Sequence, residues 1–193
     1  MKFLTSFIFL GFLSCKQQES YSQAKQLTDS ASKVFQNTHN PLKALSLLNQ
    51  AVEIDSNYVP ALTSKLNFEM VSNMPDKALV TAMRLIKIKP EVSEYYTALG
   101  FIYEQKNDTI SSKKIFLDAV ARCDKKLDGM SKLNKDYDWI LLGKASNLLF
   151  AGDERRANDI LKELYDRSQD ETFKGVIKSF MNKSKQQILE EMK

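Results

Sequence analysis

A 34-residue period is the feature that most limits what this chain can fold into. Small residues recur at Ala44, Ala78 and Ser112, and each lies 34 residues after the one before it. Self-similarity at a fixed spacing of this size is typical of repeat proteins, in which each unit is one small supersecondary element. Small side chains are expected where two helices cross closely. The period therefore predicts an all-α array of stacked helix pairs.

Apolar residues keep the same phase along the second helix of each unit. When the units are counted from Lys25, Val59 and Ser93, the small residues stand at position 20, and further apolar residues stand at positions 24 and 27. Spacings of three and four place these side chains on one face of a helix. The two positions hold Leu48, Ala82 and Phe116, and then Ala51, Leu85 and Ala119.

Turn-forming residues also recur in phase. Each unit has a stretch containing asparagine, with proline or threonine, between its two helices, at 38–41, 72–75 and 106–109. Proline suits the first turn of a helix, and asparagine or threonine can cap one. Breaks between units are expected at 55–57, 89–91 and 123–124. Each unit is therefore predicted to be helix, turn, helix and break.

A fourth unit follows after an offset of 11 residues. Gly152 repeats the turn, and Ala157, Leu161 and Leu164 repeat the apolar stripe of the second helix. The units are thus predicted at 25–58, 59–92, 93–126 and 138–170. The insertion, 127–137, is either an accident of loop length or a contact surface.

The last segment, 171–193, is predicted to form capping helices. Phe173, Val176, Ile177 and Phe180 make an apolar face at helical spacing, and a tail rich in lysine and glutamate follows them. A repeat array needs an end with a polar outer face, because its last unit would otherwise expose apolar surface. The tail can supply that face.

The third unit resembles the tetratricopeptide repeat (TPR), whose signature places an aromatic residue, leucine, glycine and tyrosine along the first helix. It matches that signature at Tyr96, Leu99, Gly100, Tyr103, Phe116 and Ala119. The second unit is looser, and its first-helix positions hold Leu62, Lys65, Leu66 and Glu69. The resemblance covers about 21–170. It implies a right-handed α-α superhelix, a TPR-like solenoid of about four helix-turn-helix units.

Residues 1–14 are predicted to be a lipoprotein signal peptide. Lys2 precedes an apolar run, from Phe3 to Ser14, that is too short to cross a bilayer. The end of the run and Cys15 resemble a bacterial lipobox, in which the cysteine is lipidated and becomes the new N-terminus. Residues 15–20 would then be the lipidated cysteine and a short tether. An ordinary secretory signal and an apolar tail with no export role are the alternatives.

The lipobox resemblance also implies a location. Acyl chains such as palmitate contribute about 0.8 kcal/mol per buried methylene, so two or more hold a protein on a membrane almost irreversibly. Lys16 rather than aspartate follows Cys15, which by resemblance favours sorting to the outer membrane of a Gram-negative bacterium. Whether the protein faces the periplasm or the cell surface stays open.

The composition argues against several classes of function. A formal charge of +4 is a small excess, whereas nucleic-acid binding needs lysine and arginine clustered on one face. His39 is the only histidine, and Cys123 would be the only cysteine of the mature chain. Neither a histidine-based metal site nor a paired nucleophile and base is expected from them. The sequence therefore predicts no enzyme activity, no cofactor, no metal and no nucleic-acid partner.

The TPR resemblance implies where a partner would bind. In that family the first helices line the concave face and contact the ligand. Carried over to this chain, the contact residues are Thr63, Asn67, Met70, Glu94, Thr97, Phe101, Glu104, Gln105, Trp139 and Phe150. Phe101, Trp139 and Phe150 have two explanations. They are anchors for an apolar peptide or helix, or they seat the C-terminal cap.

These observations predict a non-catalytic scaffold, held by lipid in the bacterial cell envelope, that captures an unidentified protein or peptide on its concave face. Two other functions stay open. The chain could be an accessory subunit of an envelope assembly machine, in outer-membrane or cell-wall biogenesis. Otherwise it could be a soluble, secreted TPR module.

Overall fold

A computed structural model describes the backbone of residues 5–191 and the side chains of residues 17–191. Within that range the chain forms ten α-helices and no β-strand, which confirms the predicted all-α fold class. The helices are α1 (Thr5–Thr38), α2 (Pro41–Ile54), α3 (Val59–Val71), α4 (Pro75–Ile88), α5 (Ser93–Gln105), α6 (Thr109–Leu127), α7 (Tyr137–Phe150), α8 (Glu154–Arg167), α9 (Glu171–Phe180) and α10 (Lys185–Glu191).

The N-terminal prediction falls largely outside the described residues. Residues 1–4 and the side chain of Cys15 are not among them, so signal cleavage and lipidation stay predictions. Helix α1 runs for 34 residues and passes through the stretch assigned to the tether. Over the part of the chain that the structure covers, no helix has both the length and the apolar content needed to span a membrane.

The chain divides after Ile88 into two compact halves. The N-terminal half holds α1 to α4, which are the helix pairs of the first two repeats. The C-terminal half begins at Lys89 and holds α5 to α8, the helix pairs of the next two repeats, followed by α9 and α10. The division lies at the start of the stretch 89–91, where the sequence predicts a break between repeats.

Small and aliphatic side chains hold the N-terminal half together. Helix α1 packs on α2 and α3, while α3 also packs on α2 and α4. Ala44 and Ala78, two of the residues that define the period, are completely buried, as are Leu48 and Leu85. Each buried leucine contributes roughly 1.5–3 kcal/mol. The small residues let the two helices of a pair approach closely.

The four turns inside the repeats share one backbone conformation. His39, Asn73, Asn107 and Gly152 all have positive φ angles, of 49°, 54°, 59° and 85°. Each of them stands at position 15 of its predicted unit when the fourth unit is counted from Asp138. Glycine and asparagine adopt this left-handed conformation more readily than other residues. The recurrence places the fourth unit in phase with the others by a criterion independent of side-chain packing.

In the C-terminal half, helices pack in sequence, α5 on α6, α6 on α7, α7 on α8 and α8 on α9. Gly100 of α5 lies against the ring of Phe116 on α6, so closely that an added Cβ would meet the ring at 2.6 Å. Ser112 is completely buried at the crossing. Helix α6 extends to Leu127, so the break predicted at 123–124 is wrong, because both residues lie within the helix. Residues 128–136 form the loop, and Tyr137, the last residue of the predicted insertion, begins α7.

Candidate functional site

The predicted contact residues of the second repeat lie along α3. Thr63, Asn67 and Met70 are separated by four and three residues, so they share one face of the helix. Asn67 is exposed, and the other two side chains are half-buried. This face of α3 offers an amide and a thioether to a partner without any rearrangement of the helix.

The predicted contact residues of α5 divide into exposed and engaged side chains. Glu94 and Gln105, at the two ends of the helix, are exposed. Thr97 lies between them, with its Oγ1 2.9 Å from Oδ1 of Asn147 on α7. The Asn147 amide in turn donates a hydrogen bond to the carbonyl oxygen of Gly143. Thr97 therefore joins α5 to α7 rather than presenting its hydroxyl to solvent.

Two of the three aromatic contact residues, Phe101 and Phe150, belong to or pack against the apolar core. The ring centroid of Phe101 is 5.2 Å from that of Phe116 and 4.6 Å from that of Phe150. Phe150 is 4 % exposed, and Phe101 is half-buried. Phe173, Ile177 and Ile188 of the C-terminal helices belong to the same cluster. In this conformation Phe150 is not accessible as an anchor, and the packing favours the alternative in which the rings seat the cap.

Trp139 of α7 is only partly covered. Its ring centroid is 4.7 Å from that of Phe173 on α9, yet 56 % of the residue is exposed. It lines a cleft of about 360 Å³ together with Phe173, Arg167 and residues 132–135 of the insertion loop. Of the three aromatic contact residues, Trp139 is the one that a partner could reach most readily.

Glu104 of α5 is engaged by the C-terminal end of the chain. Its Oε1 lies 2.6 Å from Nζ of Lys185, the first residue of α10. The Glu104 side chain is 14 % exposed, so the ion pair is partly desolvated. Charged hydrogen bonds of this kind are stronger than neutral ones. Lys185 of the same chain therefore binds Glu104, a residue that the sequence predicts to contact a ligand.

A buried polar cluster in the N-terminal half was not assigned from sequence. Glu69 of α3 is 2 % exposed, and its Oε2 accepts a hydrogen bond of 2.7 Å from Oγ1 of Thr81 on α4. Its Oε1 lies 3.8 Å from Nζ of Lys65. All three residues line a cleft of about 640 Å³ between α2, α3 and α4. Glu69 stands where the third repeat has Tyr103, and a charge at that aromatic position is the signal that could have revealed the cluster.

The environment of Glu69 has opposing effects on its ionisation. Burial raises the pKa of the carboxyl group above its ordinary value of 4.5. The hydrogen bond from Thr81 and the charges of Lys65 and Lys77 lower the pKa, but their effects are smaller than that of burial. The folded N-terminal half therefore carries an acidic group whose protonation is coupled to its stability.

The groups that could support catalysis are dispersed. Residues 17–191 contain no cluster of three or more histidine, cysteine, aspartate or glutamate side chains suited to a metal ion. Cys123 is buried against the start of α5, and burial raises the pKa of its thiol. A raised pKa disfavours the reactive thiolate. His39 stands in the left-handed turn between α1 and α2.

Comparison with known proteins shows the fold. No protein-family model matches the sequence, and no curated protein matches it. Among solved structures, the Q17M form of the "Podosopora anserina putative kinesin light chain nearly identical TPR-like repeats" has a TM-score of 0.61 at 13 % identity. That match covers 89 % of this chain and 93 % of the other.

Two further structures are similar over most of their length. MamA protein has a TM-score of 0.52 at 13 % identity, covering 84 % of each chain. The Sgt2 TPR domain from Aspergillus fumigatus has a TM-score of 0.50 at 16 % identity, covering 69 % of this chain and 82 % of the domain. At these identities the likeness concerns the fold alone, and it confirms the predicted TPR-like solenoid class.

Proposed function

We propose that this TPR-like chain is a non-catalytic scaffold that binds a protein or peptide on the first helices of its repeats. The observation that carries the proposal is the α3 face, where Asn67 is exposed between the half-buried Thr63 and Met70. The helix pairs behind this face are packed around completely buried residues. A rigid helix surface of this kind loses little conformational entropy when a partner binds.

The proposal is tested by capture in cells. Asn67→Arg places a long, charged side chain at the centre of the α3 face, and Gln50→Arg makes a comparable change at an exposed position of α2. After mild crosslinking, Asn67→Arg is expected to recover at least about tenfold less partner than the wild type. A tenfold loss of affinity corresponds to about 1.4 kcal/mol of binding free energy. Gln50→Arg is expected to recover the wild-type amount.

Circular dichroism of both variants provides the control for folding, since each changes an exposed residue within a helix. Capture that is equal for Asn67→Arg, Gln50→Arg and the wild type would contradict binding on α3. A stable complex that co-purifies in fixed proportion would instead favour the accessory subunit of an envelope machine.

We further propose that Cys15 is lipidated and anchors the scaffold in the bacterial outer membrane. The support is the sequence: a short apolar run after Lys2 that ends at Ser14-Cys15. The intact mass of the mature protein is expected to correspond to a chain that starts at Cys15 and carries acyl groups. Cys15→Ala is expected to move the protein out of the membrane fraction. A mature chain without acyl groups would contradict lipidation of Cys15 and would favour the soluble, secreted TPR module.

A further inference from the structure

Helix α10 lies against residues that the TPR resemblance assigns to ligand contact. Lys185 is its first residue, and the Nζ of Lys185 is 2.6 Å from Glu104 Oε1 on α5. The same Nζ is 5.9 Å from the ring centroid of Phe116. A lysine of the chain itself therefore takes the place that a cationic group of a partner would take at Glu104.

The apolar side of α10 extends this contact. Ile188 is 5 % exposed and belongs to the cluster that contains Phe116 and Phe150, with Phe101 packed against it. Ile188 is three residues after Lys185, so the two side chains share one face of the helix. The segment thus combines a cation and an aliphatic residue in the pattern by which amphipathic helices dock into grooves.

Beyond Lys185 and Ile188, helix α10 contributes one further apolar contact, the half-buried Leu189, and its other four residues are exposed. The helix has seven residues, and Ile188 is the only one of them that is fully buried. Isolated helices shorter than about 12 residues are marginal in water, so α10 depends on these contacts for its structure. Lys183 and Glu191 form an ion pair of 2.6 Å that is largely exposed at the glutamate, and such pairs contribute little. Segments with few buried contacts open first in native proteins.

We infer that α10 is a displaceable intramolecular ligand, and that the partner of the C-terminal half is an amphipathic helix with a lysine or arginine three residues before an aliphatic residue. The charge of the groove agrees with a basic partner, because Glu104 and the exposed Glu94 both lie on α5. The inference rests on the proposed function and deepens it by naming the partner's chemistry. Displacement of α10 would expose Glu104 and the edge of the aromatic cluster together.

While α10 occupies the groove, a competing helix binds there with a lower apparent affinity. If α10 is closed in about 90–99 % of molecules, the apparent Kd rises by about 10- to 100-fold over that of the open groove. A change that releases α10 without altering the groove should therefore tighten binding by the same factor. This prediction separates a ligand from a purely structural cap.

The test uses a fluorescent peptide of residues 182–191 added to the full chain. The variant Lys185→Ala/Ile188→Ser weakens α10 in the chain and leaves α5 to α8 unchanged. It is expected to bind the peptide at least about tenfold more tightly than the wild type. Adding Glu104→Gln to that variant is expected to reduce the binding again. The matched control, Lys113→Ala/Leu117→Ser, makes the same changes on the outer face of α6 and is expected to bind like the wild type.

Hydrogen exchange on the unmodified chain provides a second measurement that does not depend on a variant folding. Amides of 188–191 are expected to exchange at least about tenfold faster than the hydrogen-bonded amides of α7, because α10 opens without global unfolding. Residues 186 and 187 are left out because first-turn amides have no helical acceptor. Equal exchange rates in the two helices would overturn the inference. Equal peptide affinity of the wild type and the weakened variant would overturn it as well.

These outcomes are distinct from a failure of the proposed function. If the weakened variant binds the peptide but no cellular partner depends on Asn67, the intramolecular ligand stands and the scaffold proposal on α3 fails. If Asn67 is needed for capture but α10 never opens, the scaffold stands and α10 is a fixed cap.

Discussion

Replacement of Gly100 by alanine tests the close helix crossing that the 34-residue period predicts. The new Cβ would lie 2.6 Å from Cε1 of Phe116 and 2.8 Å from both Cδ1 and Cζ. The ring cannot move aside easily, because Phe116 is completely buried and its centroid is 5.2 Å from that of Phe101 and 5.3 Å from that of Phe150. Gly100→Ala must therefore strain the crossing of α5 and α6.

The size of the effect follows from two opposing contributions. Overpacking a filled core costs about 1–3 kcal/mol, and three contacts below 3.0 Å place Gly100→Ala near the upper end of that range. Alanine favours a helix over glycine by about 1 kcal/mol. The net loss in the free energy of unfolding is expected to be about 2 kcal/mol. For a chain of this length that corresponds to a Tm lower by roughly 4–8 °C.

Gly143 provides the matched control, since it lies within α7 and an added Cβ there would meet no heavy atom within 4 Å. Gly143→Ala is expected to raise the free energy of unfolding by about 0.5–1 kcal/mol. Both variants are measured by circular dichroism during urea and thermal denaturation. If Gly100→Ala proves as stable as Gly143→Ala, the tight crossing at Phe116 is refuted.

Two further predictions concern the N-terminal half. Burial raises the pKa of Glu69 above 4.5 in the folded state, so the folded state favours the protonated carboxyl group. The stability gained from this protonation is fully present below pH 4.5 and is lost as the pH rises through the folded-state pKa. In urea denaturation at several pH values, the wild type should therefore lose stability relative to Glu69→Gln as the pH rises above 4.5, and an unchanged difference would refute the coupling. The side chain of Asn40 accepts hydrogen bonds from the backbone N–H groups of Leu42 and Lys43 at the start of α2, so Asn40→Ala is expected to cost about 1 kcal/mol. Asn49→Ala, at an exposed position later in the same helix, is the control for this second experiment, and equal midpoints in urea would show that the cap contributes nothing.

Much of the fold follows from the spacing of small residues. Ala44, Ala78 and Ser112 are all completely buried, so the period read from them marks real helix crossings. A recurring buried position constrains both helices of a pair, because a larger side chain there would separate them. For that reason the helix pairs and the fold class could be predicted without any close relative.

The left-handed turn residues show where sequence reasoning stops. The turn was predicted from asparagine, proline and threonine, but these residues do not identify the one with positive φ. His39 takes that conformation in the first repeat, in a place where Asn73 and Asn107 stand in the next two. Histidine and asparagine are both enriched in this conformation, and Asn40 follows His39 directly, so residue type alone does not say which of the two adopts it.

The binding face was harder to predict than the fold, because contact positions depend on what else packs against them. Asn67 and Phe101 occupy family contact positions of similar kind, yet Asn67 is exposed and Phe101 packs against the core. Phe101 is covered by the rings of Phe116 on α6 and Phe150 on α7, which lie 15 and 49 residues later in the chain. Glu69 was overlooked for the opposite reason, since its partner Thr81 lies on the next helix and no local pattern joins them.

The left-handed conformation at the same position of all four hairpins limits where this architecture can change in length. The residue at position 15 forms the turn between the two helices of a hairpin. A residue added to that turn would displace one helix against the other and break the contacts made by the small residues. Between the second helix of the third repeat and α7 the chain has accepted 11 extra residues, which are divided between a longer α6 (19 residues, against 14 in α4) and a longer loop, while the next hairpin keeps its phase. The hairpin is therefore the module that is kept intact, and the stretch from 128 to 136 is the natural place to graft a tag or a second domain.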